Sequence, residues 1–322
     1  MLAIVYDNPG PTSVLHPKNR PVPAVGENDV LIRTVAAGVN RPDIIQRLGK
    51  YPAPAGAVQD VLGLEVSGFI ERIGRNVTRW RRGDEVCALI PGGGYAEYVS
   101  AHEGSCLPIP AHISLEDAAA LPETLFTVWH NVFQRGGLKK GETALIYGAS
   151  GGIGSMAVQL ISIYGAHAFA LAGSPEKAAF CTSLGAEKVI DYTQNNLLDT
   201  LLSESIDLIL DSLGGKFLDI GLTLLKPEGR LVYINAMEGN QPGLDIMKVM
   251  KKRLFITGST LRPRGLDFKA SLANDIKQYA FPLLEDQRFK SVVNYRFPAK
   301  NASAAHELME SRDFTGKIIL QF

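Results

Sequence analysis

Residues Ile146–Gly154 read IYGASGGIG. An apolar run, TALIY (143–147), leads into this stretch, and SMAVQLISIYG follows it. In the latter, Ala157, Leu160, Ile161 and Tyr164 fall at i, i+3, i+4 and i+7, one apolar helical face. A strand, a glycine-rich turn and an amphipathic helix in that order are the setting in which G-x-G-x-x-G means dinucleotide binding. Laid on the fingerprint, the three glycine places fall on Ala149, Gly151 and Gly154, so the first glycine is displaced to Gly148. Gly151 lets the backbone approach a pyrophosphate, and Gly154 lets the helix close on the strand. The helix starting near Gly152 aims its free N–H groups at the phosphates. Ser150, Gly151, Gly152, Ile153 and Gly154 are therefore expected to cradle the ligand.

Outward from the turn, apolar runs alternate with helical segments. TALIY is followed by HAFAL (167–171), EKVI (187–190), IDLILD (206–211), GRLVYI (229–234) and RLFITG (253–258). Near-continuous apolar strands with helical crossovers imply a parallel sheet covered on both faces, the doubly wound α/β architecture. The first third of the chain has another rhythm. LAIVY (2–6), DVLIRTVAAGV (29–39), EVSGFIERIG (65–74), DEVCALI (84–90) and YAEYVSA (95–101) are separated by NPGP, VGEND, RRGD and PGGG. That punctuation predicts a small antiparallel barrel. Ser114 followed by Asp117 is a capping pattern for a helix, which Pro122 breaks before a second helix reaches Gly136-Gly137. From about residue 266 the chain returns to helix, the strand SVVNYRF, the helix ASAAHELMES and a last strand KIILQF. The predicted domains are 1–121 with 266–322, a discontinuous catalytic domain, and 122–265, the cofactor domain.

Bulk composition excludes several classes. Lys plus Arg equals Asp plus Glu at 33 each, so no net field attracts nucleic acid or an anionic membrane. There is no basic n-region followed by an apolar run at the start, and no uninterrupted apolar stretch long enough to span a bilayer. Cys87, Cys106 and Cys181 are far apart, which argues against a disulfide framework or a structural zinc and for a reducing cytoplasm.

The acid that would hold a ribose 2′-hydroxyl is expected about twenty residues beyond the turn. Ala172 and Gly173 stand there, in ALAGSPEK. Without that carboxylate a 2′-phosphate is not repelled, and Ser174 offers a hydroxyl and Lys177 a positive charge. Tyr192, in VIDYTQ, is a further candidate. NADPH is the expected cofactor. The structural alternative is that Glu176 turns inward and Lys177 is a solvated helix residue.

The segments GVNRPDIIQRLGKYP, VLGLEVSGFIERIG, GGGYAEYV, AALPETLFTVWHNVF, YGASGGIG, AGSPEK, LGAEKVIDY, DSLGG, GSTLRPR and FTGKIIL run from end to end of the chain. Together they resemble the medium-chain dehydrogenase/reductase superfamily, and within it the zinc-independent NADPH-dependent quinone oxidoreductases. The resemblance implies a GroES-like β-rich catalytic domain beside a Rossmann cofactor domain, and Ala-Ser-Gly-Gly-x-Gly is that subfamily's usual form of the turn. Zinc-dependent relatives bind metal through a cysteine and a histidine where this chain has Asn40 and Leu64, so no metal is expected. A leucine cannot ligate, and asparagine is a poor substitute for thiolate.

Without a Lewis acid, the chemistry is limited to acceptors that delocalise charge onto their own oxygens. A quinone is the leading acceptor. An enoyl or alkenal reductase and a non-catalytic NADPH-binding protein are the alternatives. Asn40 is expected to bond either the nicotinamide ribose or an acceptor carbonyl, the structural alternative being an Asx turn. Tyr51, on the irregular loop GKYPAPAG, can stack on a ring and donate a proton, or simply pack. Asp43 is expected to N-cap the helix IIQRLG. The resemblance further implies Thr127 near the nicotinamide ribose, Ser259, Thr260 and Leu261 flanking the nicotinamide, and Lys317 reaching the cofactor side. It also implies a homodimer paired through the edge strand RLFITG, whose apolar edge is otherwise an aggregation hazard.

Overall fold

The computed structural model describes residues 1–193, 196–241 and 243–322 of the chain. They divide into two compact units. The first comprises Met1–Thr124, Leu261–Phe281 and Ser291–Phe322, and the second Leu125–Thr260 and Pro282–Lys290. The second unit therefore holds a late segment that the sequence placed in the first. Gln159 explains it: its amide Nε2 donates to the Lys290 carbonyl at 3.2 Å and its Oε1 accepts from the Lys290 N–H at 2.8 Å.

In the first unit the seven-stranded sheet follows the order Val293–Pro298, Lys317–Gln321, Asp29–Val39, Glu65–Ile73, Glu85–Leu89 and Cys106–Leu107, with Tyr98–His102 also pairing Asp29–Val39. The pairs are antiparallel except Val293–Pro298 with Lys317–Gln321. Leu2–Val5 pairs with His16–Asn19 as a separate ribbon. Val30, Ile32, Val66, Ile70, Val86 and Ala88 face one core, which Ala302, Ala305 and Met309 of the helix Ala302–Ser311 complete. Two strands lay below the sequence signal. His16–Asn19 reads HPKN and Cys106–Leu107 has two residues, and neither carries a two-residue apolar period.

The second unit is a six-stranded parallel sheet in the order Lys188–Asp191, His167–Ala172, Thr143–Ile146, Ile206–Asp211, Leu225–Tyr233 and Phe255–Gly258. Every residue of Ile206–Asp211 is buried, as a central strand covered on both faces must be. The order reverses at Thr143–Ile146, and the carboxyl end of that strand is where such sheets bind their ligand.

The helix expected from Ser114 is instead a 3-10 turn, Asp117–Ala120. Ser114 Oγ does accept the Asp117 N–H, at 3.2 Å, but Pro122 follows too closely for an α-helix to propagate. The helix Pro122–Val128 then widens into the π-turns of Trp129–Arg135, closed by the Gly136 N–H on the Asn131 carbonyl at 2.9 Å. Leu225–Tyr233 starts before its expected place at 229, with Pro227 inside it and Glu228 at φ 65°.

Candidate functional site

The cofactor turn explains its own displaced glycine. Gly148 adopts φ 73°, the left-handed conformation a tight turn requires, whereas Ala149 is fully buried and needs no such freedom. The helix Gly152–Tyr164 begins at N-cap Gly151 with no side-chain cap. The N–H groups of Gly152, Ile153 and Gly154 are left for a ligand or solvent. A Cβ on Gly154 would meet backbone, with Ala149 Cα at 2.5 Å and Ala149 C at 2.7 Å. A Cβ on Gly151 would meet only the Gly148 carbonyl, at 3.7 Å. Gly154 is thus required by packing, while Gly151 faces open space of the kind a pyrophosphate needs.

At the end of the strand His167–Ala172 no carboxylate appears. A Cβ on Gly173 would lie 2.6 Å from the Tyr192 hydroxyl, so the phenol caps this glycine. Tyr192 keeps 42% exposure and meets Phe217 edge-on, ring centroids 6.1 Å apart. Ser174 is the N-cap of Pro175–Ser183, its Oγ accepting the Lys177 N–H at 3.3 Å. Glu176 is exposed rather than turned inward, and Lys177 is half-buried on the same first turn. These groups suit a 2′-phosphate: a phenol, a hydroxyl and a cation.

Thr127 is 8% exposed, and its carbonyl accepts from Asn131 Nδ2 at 2.9 Å. Asn131 Oδ1 in turn accepts from Ser259 Oγ at 2.8 Å. Thr127, Asn131 and Ser259 therefore form one hydrogen-bonded chain in the second unit, buried at Thr127 and Asn131 and half-buried at Ser259. Sequence reasoning missed Asn131, the member that joins the other two. Thr260 is exposed in the same unit, whereas Leu261 is buried and belongs to the first.

In the first unit Asn40 precedes the helix Arg41–Arg47 as its N-cap and forms a capping box with Asp43. Asn40 Nδ2 donates to Glu65 Oε1 at 2.8 Å, and Asn40 Oδ1 accepts from Lys317 Nζ at 2.7 Å. Lys317 Nζ also donates to Glu65 Oε1 at 2.5 Å and to the Val39 carbonyl at 3.4 Å. Glu65 Oε2 accepts the Glu123 N–H at 2.8 Å. Exposures of 6% for Asn40, 0% for Glu65 and 3% for Lys317 make this a sealed ionic cluster. Lys317, expected to reach the cofactor, has all three ammonium protons committed here.

Asp43 is not the N-cap but the residue three places on. Its Oδ2 accepts the Asn40 N–H at 2.8 Å and its Oδ1 the Gly63 N–H at 3.0 Å. The reason is the capping-box exchange, in which the N3 acid reaches back to the cap backbone. Burial pushes the Asp43 carboxyl up to about 6 against these two bonds. Tyr95 donates to Asp43 Oδ2 at 3.2 Å and lies 3.1 Å from His306 Nε2. Burial, assisted by Arg47, lowers His306 to about 3.

That imidazole gives a prediction. Its folded value lies below its unfolded one, so its contribution is present above about pH 6.5 and is lost as pH falls toward 3. Asp43 has the opposite sign, because the folded state takes up its proton first. On acidification from pH 6.5 to 4.5, His306→Gln should gain about 2–3 kcal/mol of unfolding free energy relative to wild type, at about 1.4 kcal/mol per unit. Urea unfolding at the two pH values reads this, and an unchanged difference rejects it.

Tyr51 lies on an irregular loop, and the Arg262 guanidinium sits 5.4 Å from its ring centroid. Burial raises the phenol's pKa against the pull of Arg262. Arg262 donates to the Pro91 carbonyl at 2.9 Å and to Gln46 Oε1 at 2.6 Å. Glu123, half-buried at the start of Pro122–Val128, is raised to about 7 by desolvation and then by the Glu65 carboxylate. Glu65, Glu123 and Arg262 were not singled out from sequence. The available clue was two ionic residues, Glu65 and Lys317, each opening a strand with apolar residues directly after it, since each buried charge needs the other.

Leu64, where zinc-dependent relatives carry a histidine, is 2% exposed and part of the packed interior. Among the described residues no group of three or more His, Cys, Asp or Glu side chains is set to hold a metal ion. Cys87, Cys106 and Cys181 are free and buried, and no described helix is long and apolar enough to cross a membrane.

Residues 26–111 match the alcohol dehydrogenase GroES-like domain and residues 152–278 the zinc-binding dehydrogenase domain. A quinone oxidoreductase of Pseudomonas aeruginosa is 31% identical over 306 residues, which covers 92% of this chain and 91% of that protein. The chloroplastic NADPH-dependent alkenal/one oxidoreductase of Arabidopsis thaliana is 29% identical over 333 residues, covering 99% and 79%. The quinone oxidoreductase of Thermus thermophilus, solved also in complex with NADPH, superposes with a TM-score of 0.85 at 31% identity over the whole of both chains. The chain belongs to the medium-chain dehydrogenase/reductase superfamily and, within it, to the NADPH quinone oxidoreductase subfamily.

Proposed function

We propose that this chain reduces a quinone with NADPH and without a metal. The observation that carries the reading is the polarity of the buried cluster around Asn40. Where a zinc enzyme places ligands, this chain places an amide held by Lys317 and Glu65 and an inert Leu64. NADPH supplies the hydride when bound. The N–H groups of Gly152, Ile153 and Gly154 take the pyrophosphate, and Tyr192, Ser174 and Lys177 take the 2′-phosphate. Thr127, Ser259, Thr260 and Leu261 border the nicotinamide end. Asn40 and Tyr51 face the acceptor and supply N–H and O–H donors to its developing oxyanion.

An enone or alkenal accepts hydride under the same constraints, and the likeness to an alkenal/one oxidoreductase favours that second reading. Steady-state assays with a benzoquinone, a naphthoquinone, an alkenal and crotonyl-CoA separate the two. Tight NADPH binding without turnover of any acceptor identifies a binding protein instead, and preference for NADH rejects the assignment of Lys177 and Tyr192.

The chain also assembles as a homodimer in this reading. Phe255–Gly258 is a sheet edge with Phe255 60% exposed, and Ile246, Met247 and Met250 on the preceding helix are exposed beside it in sequence. Antiparallel pairing of two such edges about a two-fold axis covers them. Sedimentation as a monomer at micromolar concentration rejects that arrangement, and the compartment expected is the cytoplasm.

A further inference from the structure

Lys317 and Glu65 determine which way round the Asn40 amide sits. An ammonium group only donates and a carboxylate only accepts. The atom of the amide 2.7 Å from Lys317 Nζ must therefore be the oxygen, and the atom 2.8 Å from Glu65 Oε1 must be the nitrogen. Elsewhere the two ends of an asparagine amide are interchangeable, but here the flipped arrangement would set N–H against N–H and oxygen against oxygen. The amide oxygen is occupied by Lys317, and one of the two N–H groups is occupied by Glu65. What the side chain has left is a single N–H, which has no partner among the described residues.

We propose that Lys317 and Glu65 are positioning residues that act as a polarity lock, holding Asn40 as an obligate hydrogen-bond donor to the carbonyl oxygen of the acceptor. The proposal rests on the reading of the chain as a reductase of conjugated carbonyl compounds. In that reaction a hydride leaves the nicotinamide and adds to the acceptor. An electron pair collects on the acceptor's carbonyl oxygen as the cofactor becomes NADP+, and one proton from water completes the reduced product. A donor fixed in place before the charge develops needs no reorientation as it develops. An amide free to flip would present its oxygen to the oxyanion for part of the time.

Three features support a lock over general packing. The ionic pair is sealed from solvent, at 0% and 3% exposure, so its bonds are not shared with water. Every proton of Lys317 is committed, so the ammonium itself has none left for the acceptor. Glu65 is also fixed at its other oxygen by the Glu123 N–H, which prevents the carboxylate from rotating away.

The test is a double-mutant cycle on the full-length protein. The neutral pair Glu65→Gln with Lys317→Met removes the lock without stranding a charge, and Asn40→Ala removes the donor. Each should lower kcat with a quinone about tenfold or more while the Kd of NADPH stays within about twofold. Combined, they should cost no more than Asn40→Ala alone, since a lock has nothing to hold once the amide is gone. Additive losses mark a merely structural pair and overturn the proposal, as does a loss that appears in the NADPH Kd. Should the neutral pair fail to fold, Asn40→Asp against Asn40→Ala decides. A carboxylate repels an oxyanion, so Asn40→Asp must be the slower of the two, and an equal or faster Asn40→Asp overturns the lock. The side-chain amide resonances of Asn40, identified by their loss in Asn40→Ala, give a readout free of turnover. Two widely separated proton shifts are expected, and near-equivalent ones overturn the lock. A protein that shows the separated pair but reduces no carbonyl acceptor retains the lock and loses the proposed function.

Discussion

Gly154→Val is expected to abolish useful NADPH binding, raising its Kd at least about 100-fold. The Cβ would fall 2.5 Å from Ala149 Cα and 2.7 Å from Ala149 C, and these backbone atoms cannot rotate aside. The start of Gly152–Tyr164 must then lift off the turn, and its N–H groups lose the arrangement that receives the phosphates. Overpacking of this kind also costs about 1–3 kcal/mol of stability. Gly151→Ala isolates the ligand effect from the packing effect. At Gly151 φ is −80° and a Cβ meets nothing nearer than the Gly148 carbonyl at 3.7 Å, so this variant should fold as wild type. It should nonetheless lose about tenfold in affinity, because the added methyl occupies the space kept for the pyrophosphate. Fluorescence titration with NADPH and urea unfolding of both variants measure this. A Gly151→Ala protein that binds NADPH as wild type does would place the phosphates elsewhere.

The second large effect is on stability. Lys317→Met strands the Glu65 carboxylate, 0% exposed, with only the Asn40 and Glu123 donors left. Removing one partner of a buried ion pair typically costs about 3–5 kcal/mol, since the remaining charge keeps its desolvation penalty and loses its compensation. Adding Glu65→Gln should restore more than half of the loss, because a neutral amide tolerates burial when hydrogen-bonded. Denaturant unfolding of the single and double variants gives both numbers. A Lys317→Met protein within about 1 kcal/mol of wild type would mean that water reaches the pair and that the cluster is not sealed. Gly38 shows how tightly it is packed: a Cβ there would stand 2.6 Å from Glu65 Cδ and 2.8 Å from the Ala119 carbonyl.

How far each feature was legible follows from its range along the chain. The turn at 146–154 could be read because strand, glycines and helix are local and their periodicity is intrinsic. The parallel order of the cofactor sheet followed from the same alternation. The helix Ala302–Ser311 formed over the expected segment ASAAHELMES. Legibility failed where tertiary context overrides a local pattern. Ser114 and Asp117 carry a helix-start signature, yet Pro122 leaves room for only a 3-10 turn. HPKN becomes a strand only because Leu2–Val5 lies beside it. Asp43 looked like a cap, and its back-bond to Asn40 became visible only with the side chain placed.

Local order along the chain was thus enough to establish a doubly wound cofactor unit, a β-rich partner unit, and the residue types that suit a phosphorylated nicotinamide. Only the folded molecule could reveal what holds Asn40. Lys317 and Glu65 are 252 residues apart in the chain and meet because the strands Lys317–Gln321 and Glu65–Ile73 both flank Asp29–Val39, which delivers Asn40 between them. No pattern in one dimension encodes that meeting, since it depends on the pairing of three separate strands and on the exclusion of water from the charges they bring together.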